Sequence, residues 1–122
     1  MFTAFAHLLN KGYEKVLIVG SDCLDLSPEI ISTAWVHLEK NSAVIGPAED
    51  GGYYAIGFRF IGENVCDIQT LENVFLGKQW SHHAVFDEAC DALQKVQKSF
   101  FLLPTLNDVD EEDDVKSILH LF

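Results

Sequence analysis

Lys15-Val16-Leu17-Ile18-Val19-Gly20-Ser21-Asp22-Cys23-Leu24-Asp25-Leu26 is the stretch on which the reading of this chain turns. An unbroken apolar run from Val16 to Val19 is the pattern of a strand covered on both faces, as in the middle of an α/β sheet. A glycine, a serine and an aspartate follow at once. In open α/β sheets, ligands bind at the carboxyl ends of the strands. Asp22 therefore stands where a strand can deliver a carboxylate to a hard cation. The structural alternative is that Asp22 and Asp25 cap the turn and the helix that Ser27-Pro28 opens. Spacing alone leaves both open.

Working outward, Phe2, Phe5, Leu8 and Leu9 recur at helical spacing and Gly12 marks the stop. Ile30, Ile31, Ala34, Trp35 and Leu38 form the buried face of a helix after Ser27. Strands are expected at Ser42 to Ile45, Tyr53 to Phe58 and Ser99 to Leu103. Helices are expected at Leu71 to Phe75, from Ser81 through Val85, Ala89, Leu93 and Val96, and at Val115, Ile118, Leu119 and Phe122. This alternation, without repeats or linkers, predicts one domain over residues 1–122. Its class is a three-layer α/β/α sandwich with a mixed, mainly parallel sheet.

Two more acidic segments attract attention. Gly46-Pro47-Ala48-Glu49-Asp50-Gly51-Gly52-Tyr53-Tyr54 sets an acid beside two glycines and two aromatic faces. It also reads as a plain hairpin turn, since Asp-Gly between strands is a strong turn signal. Tyr53 and Tyr54 alternate across a strand, so at least one belongs to the core. In Asn107-Asp108-Val109-Asp110-Glu111-Glu112-Asp113-Asp114, Asp108 and Asp110 share one side of an extended segment. Asp110 and Asp113 alternatively cap the expected last helix, and Asp113 and Asp114 read as its solvated start. His82 and His83 are adjacent, so on a helix they diverge by about 100° and cannot clasp one metal.

The chain has 122 residues, 48% of them hydrophobic and 22% charged, which excludes a disordered chain. Its net charge of −11 and the absence of a basic run exclude nucleic acid as a partner. A nucleotide bridged by a divalent cation stays compatible with that charge. Cys23, Cys66 and Cys90 form no C-x-x-C. With no signal-like start, they point to free thiols in the cytoplasm. No apolar run is long enough to span a membrane.

Taken in order, Gly20-Ser21-Asp22-Cys23-Leu24-Asp25-Leu26, Gly46-Pro47-Ala48-Glu49-Asp50-Gly51-Gly52-Tyr53-Tyr54, Trp80-Ser81, and Asp108-Val109-Asp110 with Asp114 resemble one family across essentially the whole chain. It is a bacterial family of unknown function with the nucleotide-diphospho-sugar transferase (GT-A) fold, often found near radical-SAM genes. It is a cousin of the phospholactate and molybdopterin guanylyltransferases. The resemblance implies transfer of a nucleotidyl or glycosyl group from a nucleoside triphosphate or nucleotide-sugar to an unknown acceptor. It implies Mg²⁺ or Mn²⁺ held by Asp22 and Asp110 with Asp108, and Asp22 and Asp50 as catalytic residues. Gly51, Gly52, Tyr53, Trp80 and Ser81 would contact substrate.

Leu24 stands where the family pattern has proline. The glycine-, lysine- and arginine-bearing phosphate loop expected upstream of the first helix is absent from the sequence. The expectation is therefore a member lacking its first strand-helix units and impaired in nucleotide binding. A competing expectation is a non-catalytic module that homodimerises through the sheet edge those units would have covered.

Overall fold

The computed structural model describes residues 2–20, 27–49, 51–76, 85–106 and 116–121, the last stretch as backbone. The expected first helix forms as α1 (Phe2–Asn10), with Phe5 and Leu8 on its buried side. It ends where Gly12 takes φ 86°. There the Gly12 and Tyr13 amides donate to Leu9 and Leu8 carbonyls at 3.1 and 3.4 Å, satisfying the helix's last acceptors.

β1 (Lys15–Gly20) is buried from Lys15 to Val19. α2 (Pro28–Leu38) starts at Ser27, whose hydroxyl accepts from the Ile30 amide at 3.3 Å. β2 (Ala43–Pro47) and β3 (Tyr53–Arg59) follow, then α3 (Ile68–Phe75), α4 (Val85–Lys95) and β4 (Phe100–Leu102). The Asp67 carboxylate caps α3 by accepting from the Thr70 amide at 2.9 Å. The chain closes with β5 (Lys116–Leu121). No described helix is long and apolar enough to cross a membrane.

The sheet order is β4-β2-β3-β1-β5. β1, β2 and β4 run one way, β3 and β5 the other, so the sheet is mixed as expected. The balance differs from the expectation of a mainly parallel sheet, because among the described strands only β2 and β4 pair in parallel. The short turn between β2 and β3 dictates this, since parallel neighbours need a long crossover.

A further correction concerns the chain's end. Residues 116–121 form a strand and not the expected helix, pairing with β1 from Lys116↔Gly20 to Leu121↔Lys15. The helix that Asp110 and Asp113 were to cap is therefore missing at that place. β1 is paired on both sides, with β3 and β5, so among the described residues the edge strands are β4 and β5.

Side chains alternate across the sheet into two cores, which makes the architecture three-layered. On one face Val16, Ile18, Ala43, Ile45, Ile56 and Phe58 meet α1, α3 and α4. Phe5 is fully buried there, edge-on to Phe58 at 4.8 Å and stacked on Phe75 at 5.6 Å. On the other face Leu17, Val19, Val44, Tyr54 and Ala55 meet Ala34 and Leu38 of α2. Each large apolar side chain so buried contributes about 1.5–3 kcal/mol.

Candidate functional site

β1, β2 and β4 are parallel to one another, so their carboxyl ends share one end of the sheet. β3 and β5 begin there. The connection after β2 is a tight turn in which the Ala48 amide donates to the Gly52 carbonyl at 2.9 Å and the Gly51 amide to the Ala48 carbonyl at 3.1 Å. Gly51 takes φ 96°, a conformation that glycine adopts without the Cβ penalty. The hairpin-turn reading of this segment is therefore what the backbone shows.

Two segments are tied to that turn, and β5 opens beside the end of β1. Leu106 donates its amide to the Pro47 carbonyl and accepts from the Glu49 amide, both at 3.0 Å, in an isolated parallel bridge with Ala48. The Phe86 amide, in the first turn of α4, donates to the Gly51 carbonyl at 3.0 Å. Lys116 lies opposite Gly20 in the β1–β5 register.

These ties decide where the expected site residues enter and leave. Asp22, Asp50, Trp80, Ser81, Asp108 and Asp110 lie outside the described residues, as do Cys23, His82, His83, Asp113 and Asp114. Their described flanks nonetheless converge. Asp22 follows Gly20 by two residues, and Asp50 sits between Glu49 and Gly51. Trp80 and Ser81 precede α4, and Asp108 and Asp110 lie between Leu106 and Lys116. All four segments thus depart from, or arrive at, the same end of the sheet.

Gly51 and Gly52 sit in the turn, partly exposed. Tyr53 opposes Pro47, is half-buried and packs against the first core. Burial pushes its phenol above the usual tyrosine range. Tyr54 is buried against the second core. Its hydroxyl donates to the Pro104 carbonyl at 2.8 Å. Sequence reasoning missed Leu106, whose backbone staples the third acidic segment to the second. The only available signal was its place two residues beyond Pro104, where the strand stops.

Elsewhere the chemistry is quiet. Cys66 is buried and Cys90 half-buried, and both are free thiols. Burial pushes them up to about 12 and about 11, so both stay protonated at neutral pH. A cavity of about 310 Å³ lined by Asp67, Gln69, Thr70, Asn73, Val96 and Lys98 lies toward the opposite end of the sheet.

Residues 1–82 match the family described as uncharacterized proteins conserved in bacteria, DUF2064. The chain belongs to that family. This DUF2064 chain is also similar to a crystal structure from Desulfovibrio desulfuricans G20, of a protein described provisionally as a nucleotide-diphospho-sugar transferase. The two share 34% identity and a TM-score of 0.78, over 90% of this chain and 45% of that one. The DUF2064 chain has that protein's fold while spanning less than half its length. No curated protein matches it.

Proposed function

We propose that this DUF2064 chain carries the metal-and-acceptor half of a transferase acting on a nucleotide-activated donor, a nucleoside triphosphate or nucleotide-sugar. The observation that carries the reading is that the described flanks of four motif-bearing segments, Gly20, the 48–52 turn, Leu106 and the start of α4, converge at one end of the sheet. The fold shared with a protein described as a nucleotide-diphospho-sugar transferase supports the choice of donor.

The donor set fits a hard cation. Asp22, Asp108 and Asp110 offer carboxylate oxygen alone, which suits Mg²⁺ or Mn²⁺ and not a thiolate- or imidazole-seeking metal. Among the described residues no cluster of three or more His, Cys, Asp or Glu competes for one. The ion, when bound, would neutralise charge developing on the leaving phosphate. Asp22 and Asp110, with Asp108, are its proposed ligands. The net charge of −11 gives them a second task, since an acidic sheet end repels a diphosphate unless its carboxylates are engaged. Asp50 is proposed to take the proton of the acceptor nucleophile. Gly51 and Gly52 let the acceptor approach the backbone, while Tyr53, Trp80 and Ser81 line its place.

The test is calorimetric titration of the purified chain with Mn²⁺, followed by nucleoside diphosphates and UDP- or GDP-sugars in its presence. Wild type should bind Mn²⁺, and Asp22→Ala and Asp110→Ala should each weaken it at least about ten-fold, the cost of one charged ligand contact. Nucleotide should bind only with metal present. Unchanged Mn²⁺ affinity in Asp22→Ala would defeat the assignment. A homodimer remains the alternative assembly, and light scattering at high dilution decides it.

A further inference from the structure

Tyr54, the second tyrosine of the Gly-Gly-Tyr-Tyr sequence, has no assigned part in the transfer. Its surroundings differ from those of Tyr53 beside it. Tyr54 is 2% exposed and its ring lies over Gly46, where any side chain would collide: a Cβ there would come within 2.7 Å of three ring carbons. The hydroxyl reaches across to the Pro104 carbonyl at 2.8 Å, spanning 50 residues of sequence. Pro104 has no amide hydrogen, so its carbonyl is its only backbone hydrogen-bonding group. Two residues later Leu106 makes its paired hydrogen bonds to Pro47 and Glu49.

We propose that Tyr54 is a positioning residue that holds the Pro104–Leu106 segment, and with it the entry to Asp108 and Asp110, in register with the 48–52 turn. The inference rests on the function proposed above for what it positions, but the latch itself stands on described geometry. β4 is only three residues long and its pairing with β2 ends at Leu102↔Ile45. Beyond it the Leu103 amide still reaches the Ile45 carbonyl at 2.9 Å. From there to Leu106 the strand pairing no longer guides the chain. The Tyr54 hydroxyl supplies the tie at that gap. Gly46 makes room for the ring, which explains why a glycine sits within β2 despite its conformational cost.

Tyr54→Phe removes the hydroxyl and leaves the ring over Gly46. Two readouts separate positioning from general stability. Residue-resolved amide exchange should accelerate about three- to ten-fold at Leu106 and Glu49, the size expected for one lost hydrogen bond, with Leu103 unchanged. Mn²⁺ affinity, followed by the electron-spin resonance of the free ion well below the unfolding temperature, should weaken by a similar factor. Val74→Ala, a core truncation in α3, should lower stability without moving either readout.

Equal acceleration at Leu103 and Leu106 would overturn the proposal, as would unchanged exchange at Leu106. Altered exchange with unaltered Mn²⁺ affinity would overturn its link to the metal. Should wild type itself bind no Mn²⁺, the function reading falls, and exchange at Leu106 then decides the latch alone.

Discussion

The two ends of the sheet are built by different means. At the end where β1 begins, charged and aromatic side chains close the structure. Lys15 is almost wholly buried, yet its ammonium meets Glu39 Oε1 at 2.6 Å and the Trp35 carbonyl at 3.4 Å. Arg59 donates to the Leu38 and Glu39 carbonyls at 3.2 and 2.7 Å. The two cations thereby engage the carbonyls left without partners at the carboxyl end of α2, where its dipole favours positive charge. Phe5, Phe58 and Phe75 pack against one another on the adjoining face.

At the end where β1 finishes, the joints are backbone amides and carbonyls, a glycine at positive φ and one tyrosine hydroxyl. Among the described residues the one ion pair, Lys15–Glu39, is at the first end. The described ion pair and the acidic segments are thus separated along the strand direction. One end holds its charges engaged, and the other collects segments rich in carboxylates.

If that division is right, the largest loss of stability comes from the closing end. Phe5→Ala should cost about 3–5 kcal/mol, the range for truncating a fully buried phenylalanine. Chemical denaturation would measure it. A loss below about 1 kcal/mol would mean that α1 is not part of the cooperative unit.

Gly46→Ala tests the end where β1 finishes and should fall in the middle. Its Cβ would meet the Tyr54 ring, and overpacking of this kind costs about 1–3 kcal/mol. Unlike Phe5→Ala, it should also weaken Mn²⁺ binding at temperatures where the chain is fully folded. The same calorimetry checks both statements. Gly46→Ala with normal metal affinity would break the association between the turn and the site.

Asp67→Ala returns to the closing end with a smaller effect. The carboxylate accepts from both the amide and the hydroxyl of Thr70 at 2.9 Å. Losing such a cap costs about 1 kcal/mol. Thermal unfolding should show it with Mn²⁺ affinity untouched.

Much of this architecture was legible in the sequence, because its signals were local and redundant. Val16 to Val19 could only be a covered strand, Ser27-Pro28 could only open a helix, and Gly12 could only stop one. The family motifs placed the acidic segments in order, and the shared fold agrees. The balance of strand directions was misjudged although Asp50-Gly51-Gly52 advertised a hairpin, which requires antiparallel partners. The strand at the chain's end was hidden for a different reason. Val115, Ile118, Leu119 and Phe122 fit a helical repeat, but so short a run cannot tell helix from strand. What decides it is non-local, since β5 satisfies the backbone groups along the edge of β1 from Lys15 to Gly20. The Tyr54 hydroxyl escaped for the same reason, its partner being 50 residues away.

The smallest expected effect concerns pH, and it sharpens the contrast because it belongs to the closing end. The hydrogen bond from Lys15, and then its charge, hold the Glu39 carboxyl below the ordinary glutamate value. The Thr70 amide and hydroxyl do the same for Asp67. A depressed folded-state value means that the unfolded chain binds the proton more readily. The stabilisation is therefore present above the unfolded values, near 4 for both types. It is lost as pH falls through the lower, folded ones. Glu39→Gln should then unfold more easily than wild type at pH 7, and the two should converge as pH falls through the lowered Glu39 value and wild-type Glu39 takes up its proton. The difference should stay small, since Glu39 is well exposed and solvent screens the pair. Thermal melts across pH 2.5 to 7 decide the point. An offset that stays constant across that range would show that the side chain's shape, and not its charge, supports Lys15.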